Sequence, residues 1–331
     1  MKIITTEEHV AIPLLAKALQ KYPSPDAVRS AAATSPDLPF CPDMDLYRDV
    51  GDKRLADMDA HGITRQILSC PLQSQRLPAA EGVSVVRDAN DFLADAVSRH
   101  PDRFSALAVL PWSNPEGAAA ELERAVTRLG LKGAILAGRA SGENAFLDDS
   151  RFSPVLEAAQ ALEVPIYVHP SATMAQVQDL YYGGLGEQLS ARLSLYGWGW
   201  HHEAGVQILR MILSGAFERF PRLQLIAGHW GEMVPFYLAR LDQALPRKAT
   251  GLSRTITETF AQNVWVTPGG IFDYHQLQFV IQTLGAGRIL HAADFPFLGN
   301  DGAKTFMEQA PIPEADKTKI AYQNAENLFR L

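Results

Sequence analysis

The sequence predicts an α/β protein of the (β/α)8 TIM-barrel class, with long loops at the C-terminal face of the barrel. Three observations carry that prediction. Short apolar, β-branched runs recur along the whole chain, helical periodicities lie between them, and polar residues gather where the runs stop. The 331 residues are 47% hydrophobic and 20% charged, the range of a folded globular chain rather than a disordered or collagen-like one. That length fits two average domains or one large barrel. No internal repeat or linker divides the sequence, so residues 1–331 are expected to form one domain.

The eight strand candidates are residues 3–6, 66–69, 106–110, 133–136, 164–168, 223–227, 264–267 and 288–290. Continuous apolar runs of this length suit parallel strands buried on both faces. Between them, residues 85–99 place Val85, Ala89, Phe92, Leu93, Ala96 and Val97 on one helical face. Residues 116–129 do the same with Ala119, Leu122, Ala125, Val126 and Leu129, and residues 152–162 and 204–217 repeat the pattern. His100-Pro101, Leu129-Gly130 and Leu284-Gly285 mark helix ends. The competing doubly wound sheet usually has a glycine-rich turn after its first strand, where this chain reads Glu7-Glu8-His9. Two stretches exceed ordinary loops. Residues 14–50 open with a helical piece near 14–21, and residues 171–200 end in Tyr196-Gly197-Trp198-Gly199-Trp200. Long loops at one barrel face usually act as functional lids.

Composition excludes several function classes. Lys+Arg 30 against Asp+Glu 37 gives a net charge of −7, with no basic run, so no nucleic-acid partner is expected. An anionic small substrate stays open, because a local metal or arginine decides that. Cys41 and Cys70 form neither a CxxC pair nor a disulfide framework, which points to a reducing compartment. Glu7 and Glu8 fall where a signal peptide needs its apolar stretch, and no apolar run reaches the ~18 residues of a membrane span. The expectation is a cytoplasmic protein without a membrane partner.

The strand ends carry the chemistry. The first candidate strand ends in Glu7-Glu8-His9, the fifth in His169-Pro170, the sixth in Gly228-His229-Trp230-Gly231-Glu232, and the eighth in Ala292-Ala293-Asp294-Phe295-Pro296. In a (β/α)8 barrel these ends converge on one mouth. Glu7 and His9 lie two apart and share a face, which the barrel interior can take. Glu7, His9, His169 and Asp294 then offer two imidazoles and two carboxylates around one point, a set suited to a divalent metal such as Zn²⁺ or Mn²⁺. Glu8 points the other way and reads as a solvated charge. His229 is a candidate proton shuttle oriented by Glu232, although the same segment also reads as the plain start of a helix. His61, His100 and His275 read as bland, while the roles of His201, His202 and His291 stay open. Trp198, Trp200, Trp230, Phe295 and Phe297 are either core or the walls of a pocket for a flat substrate.

These residues resemble the amidohydrolase superfamily (amidohydrolase family 2), and within it the metal-dependent nonoxidative decarboxylases of the γ-resorcylate and 2,3-dihydroxybenzoate type. The matching segments include TEEHVAIP at 6–13, RLADMDAHGITRQILS at 54–69, FLDDSRFSPVLEAAQALEVPIYVHP at 146–170, the run from Gly197 to Asp242, and KIAYQNAENLFRL at 319–331. Residue by residue, Glu7 and His9 match the family's E-x-H ligand pair. His169 matches the fifth-strand ligand, Asp294 the eighth-strand acid, and His229 with Glu232 the H-x-G-E pair. The chain departs from the family at His291-Ala292-Ala293, where a more aromatic and Ser-rich run is the pattern, and at Gln207, where relatives often carry His.

The resemblance implies a decarboxylase of a hydroxylated, dihydroxybenzoate-like aromatic acid. One divalent ion, Zn²⁺ or Mn²⁺, is held by Glu7, His9, His169 and Asp294. Asp294 protonates the ring carbon that bears the carboxylate, while His229 and Glu232 position the substrate or move a proton from another hydroxyl. It also implies a homo-oligomer, dimer or tetramer. Two other readings share the scaffold. One is a metal-dependent hydrolase or hydratase with Asp294 as base. The other is a non-catalytic small-molecule binder that kept the fold.

Overall fold

A computed structural model describes residues 1–140 and 145–331. Its strands are β1 (Ile4–His9), β2 (Arg65–Ser69), β3 (Phe104–Ala106), β4 (Ala108–Val109), β5 (Ala134–Ala137), β6 (Ile166–His169), β7 (Leu225–Ala227) and β8 (Val264–Val266). All but β1, which runs three residues past the end of its predicted run, fall within about two residues of one. β3 and β4 are two halves of one barrel position, interrupted at Leu107, whose amide donates to the Leu68 carbonyl at 2.8 Å. One ladder joins β1, β2 and β3, and a second runs from β4 to β8. All of these pairs are parallel. The last predicted run makes no ladder. It joins its neighbours through single parallel bridges, Val266 to Ile289 and Thr5 to His291. Four residues past it, Asp294 takes φ 60°.

Period-two alternation decides what enters the barrel. Ile4, Ile67, Leu107, Ile135, Tyr167, Ile226, Trp265 and Leu290, one from each position, pack together with Ala325 and Phe329 of the C-terminal helix Asn324–Phe329. The opposite strand faces pack in the larger core between strands and helices. Burying each aliphatic side chain contributes about 1.5–3 kcal/mol.

Alternation alone would fail at the site. Counted from Ile4, it sends Thr6 and Glu8 inward. The register of β1 against β2 shifts by one residue between Thr5 and Glu8, and that bulge turns Glu7 and His9 to the inside instead. The Thr6 hydroxyl donates to the His291 carbonyl at 3.0 Å, across the seam with the last position.

The helices follow the predicted periodicities with two corrections. The stretch expected to be helical over 204–217 is the helix Gly199–Leu213 followed by a separate turn, Ala216–Arg219, because Gly215 takes φ 72° between them. The two expected loops are also largely helical. Residues 171–200 hold the helices Ala175–Tyr182 and Glu187–Arg192, and residues 14–50 hold short helical pieces at Ser30–Ala33 and Met44–Arg48. These excursions pack on each other through Ala33, Ala191 and Leu195. Phe40 stacks on Tyr196 at 4.9 Å between ring centroids, and Arg192 donates to the Ala33 carbonyl at 3.0 Å. Arg139, just beyond β5, is buried and ties the first excursion and the helix Gly199–Leu213 to the barrel. Its Nη1 donates to both carboxylate oxygens of Glu203 at 2.8 and 2.9 Å, and its Nη2 pairs with Asp26. Among the described residues no helix is long and apolar enough to cross a membrane.

Candidate metal centre and active site

Glu7, His9, His169 and Asp294 come together as predicted. One candidate ligand atom from each lies within 4.8 Å of all the others, and all four residues are buried. His9 Nε2 sits 3.2 Å from Asp294 Oδ1, and His169 Nε2 sits 3.8 Å from Glu7 Oε1. β1 and β6 deliver the first three from adjacent turns of their alternation, while Asp294 enters from the turn after the last position.

The hydrogen bonding leaves the right atoms free. His169 Nδ1 lies 2.7 Å from the Pro170 carbonyl, which only accepts, so Nδ1 carries the proton and Nε2 presents a lone pair to the cluster. His9 Nδ1 meets the Ser69 hydroxyl at 2.9 Å. His9 Nε2 and Glu7 Oε1 are buried without a hydrogen-bond partner. Orphaned buried polar atoms are costly, and two facing one point are what a bound cation would satisfy. Glu7 Oε2 accepts from the Thr267 hydroxyl at 3.1 Å. Beside it, a Cβ on Gly228 would stand 2.9 Å from Glu7 Oε1, so only glycine lets that ligand keep its place. Burial pushes His9 down to about 4 and His169 down to about 3, the neutral form a metal needs. Burial and the neighbouring Glu7 raise Asp294 well above the ordinary carboxyl range.

His229 and Glu232 stand on a left-handed turn rather than at the start of a right-handed helix. His229, Trp230, Gly231, Glu232 and Met233 have φ of 47°, 58°, 84°, 53° and 65°. Such a conformation costs about 1–2 kcal/mol per non-glycine residue, and strain of this kind gathers at functional sites. It folds Glu232 back onto His229, with Nδ1 to Oε1 at 2.8 Å. His229 Nε2 then faces the cluster, 3.8 Å from Glu7 Oε1 and 4.0 Å from Asp294 Oδ2. Burial opposes a charge on His229, but Glu7, Glu232 and Asp294 together outweigh it and push the imidazole up to about 10.

Glu8 corrects the sequence reading. It points away from Glu7 as expected, but it is fully buried rather than solvated. Its Oε1 accepts the amide of Ala293 at 3.0 Å, next to Asp294, and Gln66 approaches Oε2 at 3.3 Å. Burial raises it to about 7, against the pull of the Ala293 amide and the Arg54 charge. Arg54, buried in the helix Asp52–His61, was not singled out from the sequence. It donates to the His9 carbonyl at 2.6 Å, the Asp49 carbonyl at 2.8 Å and Gln66 Oε1 at 3.1 Å. The signal was present as an arginine inside an otherwise inward-facing helix stripe, but its partners are too distant in sequence to show.

The open residues now separate. His201 bonds to Glu232, His202 is exposed, and His291 is buried away from the cluster with Nε2 3.0 Å from the Ala303 carbonyl. Gln207 joins backbone to backbone, donating to Gly138 at 3.1 Å and accepting from Leu147 at 3.3 Å. The five aromatics split between both readings. Phe295 and Trp230 are core. Phe297 and Trp200 flank the ligands, 5.6 Å from His9 and 6.4 Å from His169 between ring centroids. Trp198 is 47% exposed, at the rim of a cavity of about 550 Å³ that His229, Met233, Phe236 and Phe279 also line.

Comparison with known proteins places this arrangement. The amidohydrolase family profile matches residues 44–331. The γ-resorcylate decarboxylase of Polaromonas sp. is 36% identical over 310 residues, covering 88% of this chain and 93% of that protein. A dihydroxybenzoic acid decarboxylase structure from Polaromonas sp., with bound manganese and the inhibitor 2-nitroresorcinol, superposes with a TM-score of 0.84 at 33% identity, covering 100% of this chain and 97% of that one. The 5-carboxyvanillate decarboxylase of Sphingomonas paucimobilis superposes with a TM-score of 0.88 at 32% identity, covering 100% and 99%.

Proposed function

The chain belongs to the amidohydrolase family, and from that premise we propose that it is a metal-dependent, nonoxidative decarboxylase of a hydroxylated aromatic carboxylic acid. The observation that carries the reading is the buried Glu7, His9, His169 and Asp294 cluster, with Glu7 Oε1 and His9 Nε2 unpartnered and aromatic rings on its flanks. These four residues would hold one divalent ion, Mn²⁺ or Zn²⁺. When bound, such an ion supplies charge stabilisation and a template for a carboxylate and its neighbouring phenolic oxygen.

The chain's own groups do the rest. Trp200 and Phe297 present flat apolar surface to an aromatic ring and keep water from it. Asp294 delivers its proton to the ring carbon that bears the carboxylate. The C–C bond to that carboxylate then breaks, its electron pair restores the aromatic ring, and CO2 leaves. Asp294 recovers a proton from water, which completes the balance. His229, held by Glu232, faces the same space and positions a second hydroxyl or moves its proton.

The test is a panel of hydroxybenzoates offered to protein loaded with Mn²⁺ or Zn²⁺. Release of CO2 with the ring left unsubstituted is the expected result. A new acid or alcohol without CO2 would replace this reading with a hydrolytic one.

We also propose one domain over residues 1–331, a cytoplasmic setting, and assembly as a homo-oligomer, dimer or tetramer. Trp198, Phe236, Tyr237 and Phe279 support the assembly, since all four are exposed beside one another around the same cavity. Sedimentation should give twice or four times the chain mass of 36.3 kDa. A monomer at micromolar concentration would refute assembly.

A further inference from the structure

Glu232 is 1% exposed, and both of its carboxylate oxygens are occupied by imidazoles. Oε1 meets His229 Nδ1 at 2.8 Å, and Oε2 meets His201 Nδ1 at 2.9 Å. The two rings stand 4.4 Å apart between centroids, inclined at 61°. A carboxylate accepts, so each Nδ1 carries the hydrogen of its bond. His201 is itself fixed from behind, where its Nε2 accepts from the Trp200 indole N–H at 2.9 Å. The helix Gly199–Leu213 that carries it docks directly on the left-handed turn. One helical turn beyond His201, a Cβ on Gly205 would stand 2.6 Å from the Glu232 carbonyl.

We propose that His201 is a positioning residue, which pins the second oxygen of Glu232 so that Glu232 can hold His229 with Nε2 toward the Glu7 and Asp294 carboxylates. Without it, a buried carboxylate with one free oxygen rotates or draws in water, and the His229 ring loses its fixed tautomer and direction. His201, His229 and Glu232 also form a group able to hold a metal. Both Nδ1 atoms and both Glu232 oxygens are already engaged with one another, which favours positioning over metal binding. The inference rests on the decarboxylase reading for its kinetic consequence, while its structural half stands alone.

Two variants test it. His201→Phe keeps the ring and removes the donor, whereas His201→Asn keeps an N–H near the place of Nδ1. His201→Phe should lower kcat by about 10–100-fold with KM and metal content little changed, and His201→Asn should recover most of that loss. In ¹⁵N-labelled, metal-free protein, the His229 Nδ1–H signal should be sharp in the wild type and in His201→Asn, and broadened or lost in His201→Phe. The NMR readout needs no substrate. If no aromatic acid is turned over, the decarboxylase reading fails while the His229 signal still decides the positioning role. An unchanged His229 signal in His201→Phe overturns the proposal. So does His201→Asn matching His201→Phe in both readouts, which marks a merely structural residue. Two metal equivalents in the wild type falling to one in both variants also overturns it, by making His201 a ligand.

Discussion

Asp294→Asn is expected to lower decarboxylation about a thousandfold while leaving the protein folded. Asn keeps the shape and one oxygen of the side chain but has no acidic proton to deliver. The buried site holds Asp294 close to Glu7, and both burial and that charge oppose its ionisation. Removing the carboxyl relieves this repulsion, so the melting temperature of the metal-free variant should not fall. Metal content measured on the same sample separates the two roles of the residue. Low activity with normal metal content marks the acid, while activity restored by excess metal marks the ligand. Near-normal CO2 release would remove Asp294 from the mechanism.

Arg54→Leu carries the largest expected effect on stability. The guanidinium is fully buried and reaches the carbonyls of His9 and Asp49 together with Gln66. It is also the positive charge that favours the ionised form of Glu8. Its loss leaves buried acceptors unmet and a buried carboxyl uncompensated, at a cost of about 3–5 kcal/mol. For a chain of this size that corresponds to a melting temperature lower by on the order of 10 °C. Metal binding should weaken as well, because Arg54 holds the carbonyl of the candidate ligand His9 and Glu8 holds the amide beside the candidate ligand Asp294. A melting temperature within about 2 °C of wild type would show that neither interaction carries weight.

The parts legible in the sequence share a physical reason. Barrel strands buried on both faces announce themselves as continuous apolar runs, and ligand residues at their ends stand out against that background. That is why Glu7, His9, His169 and Asp294 were found together and why the strand runs lie so close to β1–β8. What stayed hidden depends on contacts distant in sequence. Glu8 looked solvated because its partners are Ala293 and Arg54. His201 was open because its meaning lies in Glu232, which reaches it only through the left-handed turn. That turn reads as a helix start in sequence, since four of its five residues are ones that rarely adopt positive φ. The register shift between Thr5 and Glu8 left no local mark either, although Glu7 and His9 came out on the correct face because the two are still two residues apart.

The seam of the barrel has a dynamic meaning. Between β1 and the last position, backbone pairing is thin, a bridge from Thr5 to His291 and a bond from the His9 amide to the Phe295 carbonyl at 2.6 Å. Sparse pairing makes this a place where partial opening costs little free energy. Asp294 hangs from that seam through Ala293 and Glu8, while Glu7 and His9 stand on its other side. Opening there would scatter the ligand set without melting the remaining ladders. A cation bound across the seam would therefore act as its latch, and its concentration would govern how often the barrel breathes.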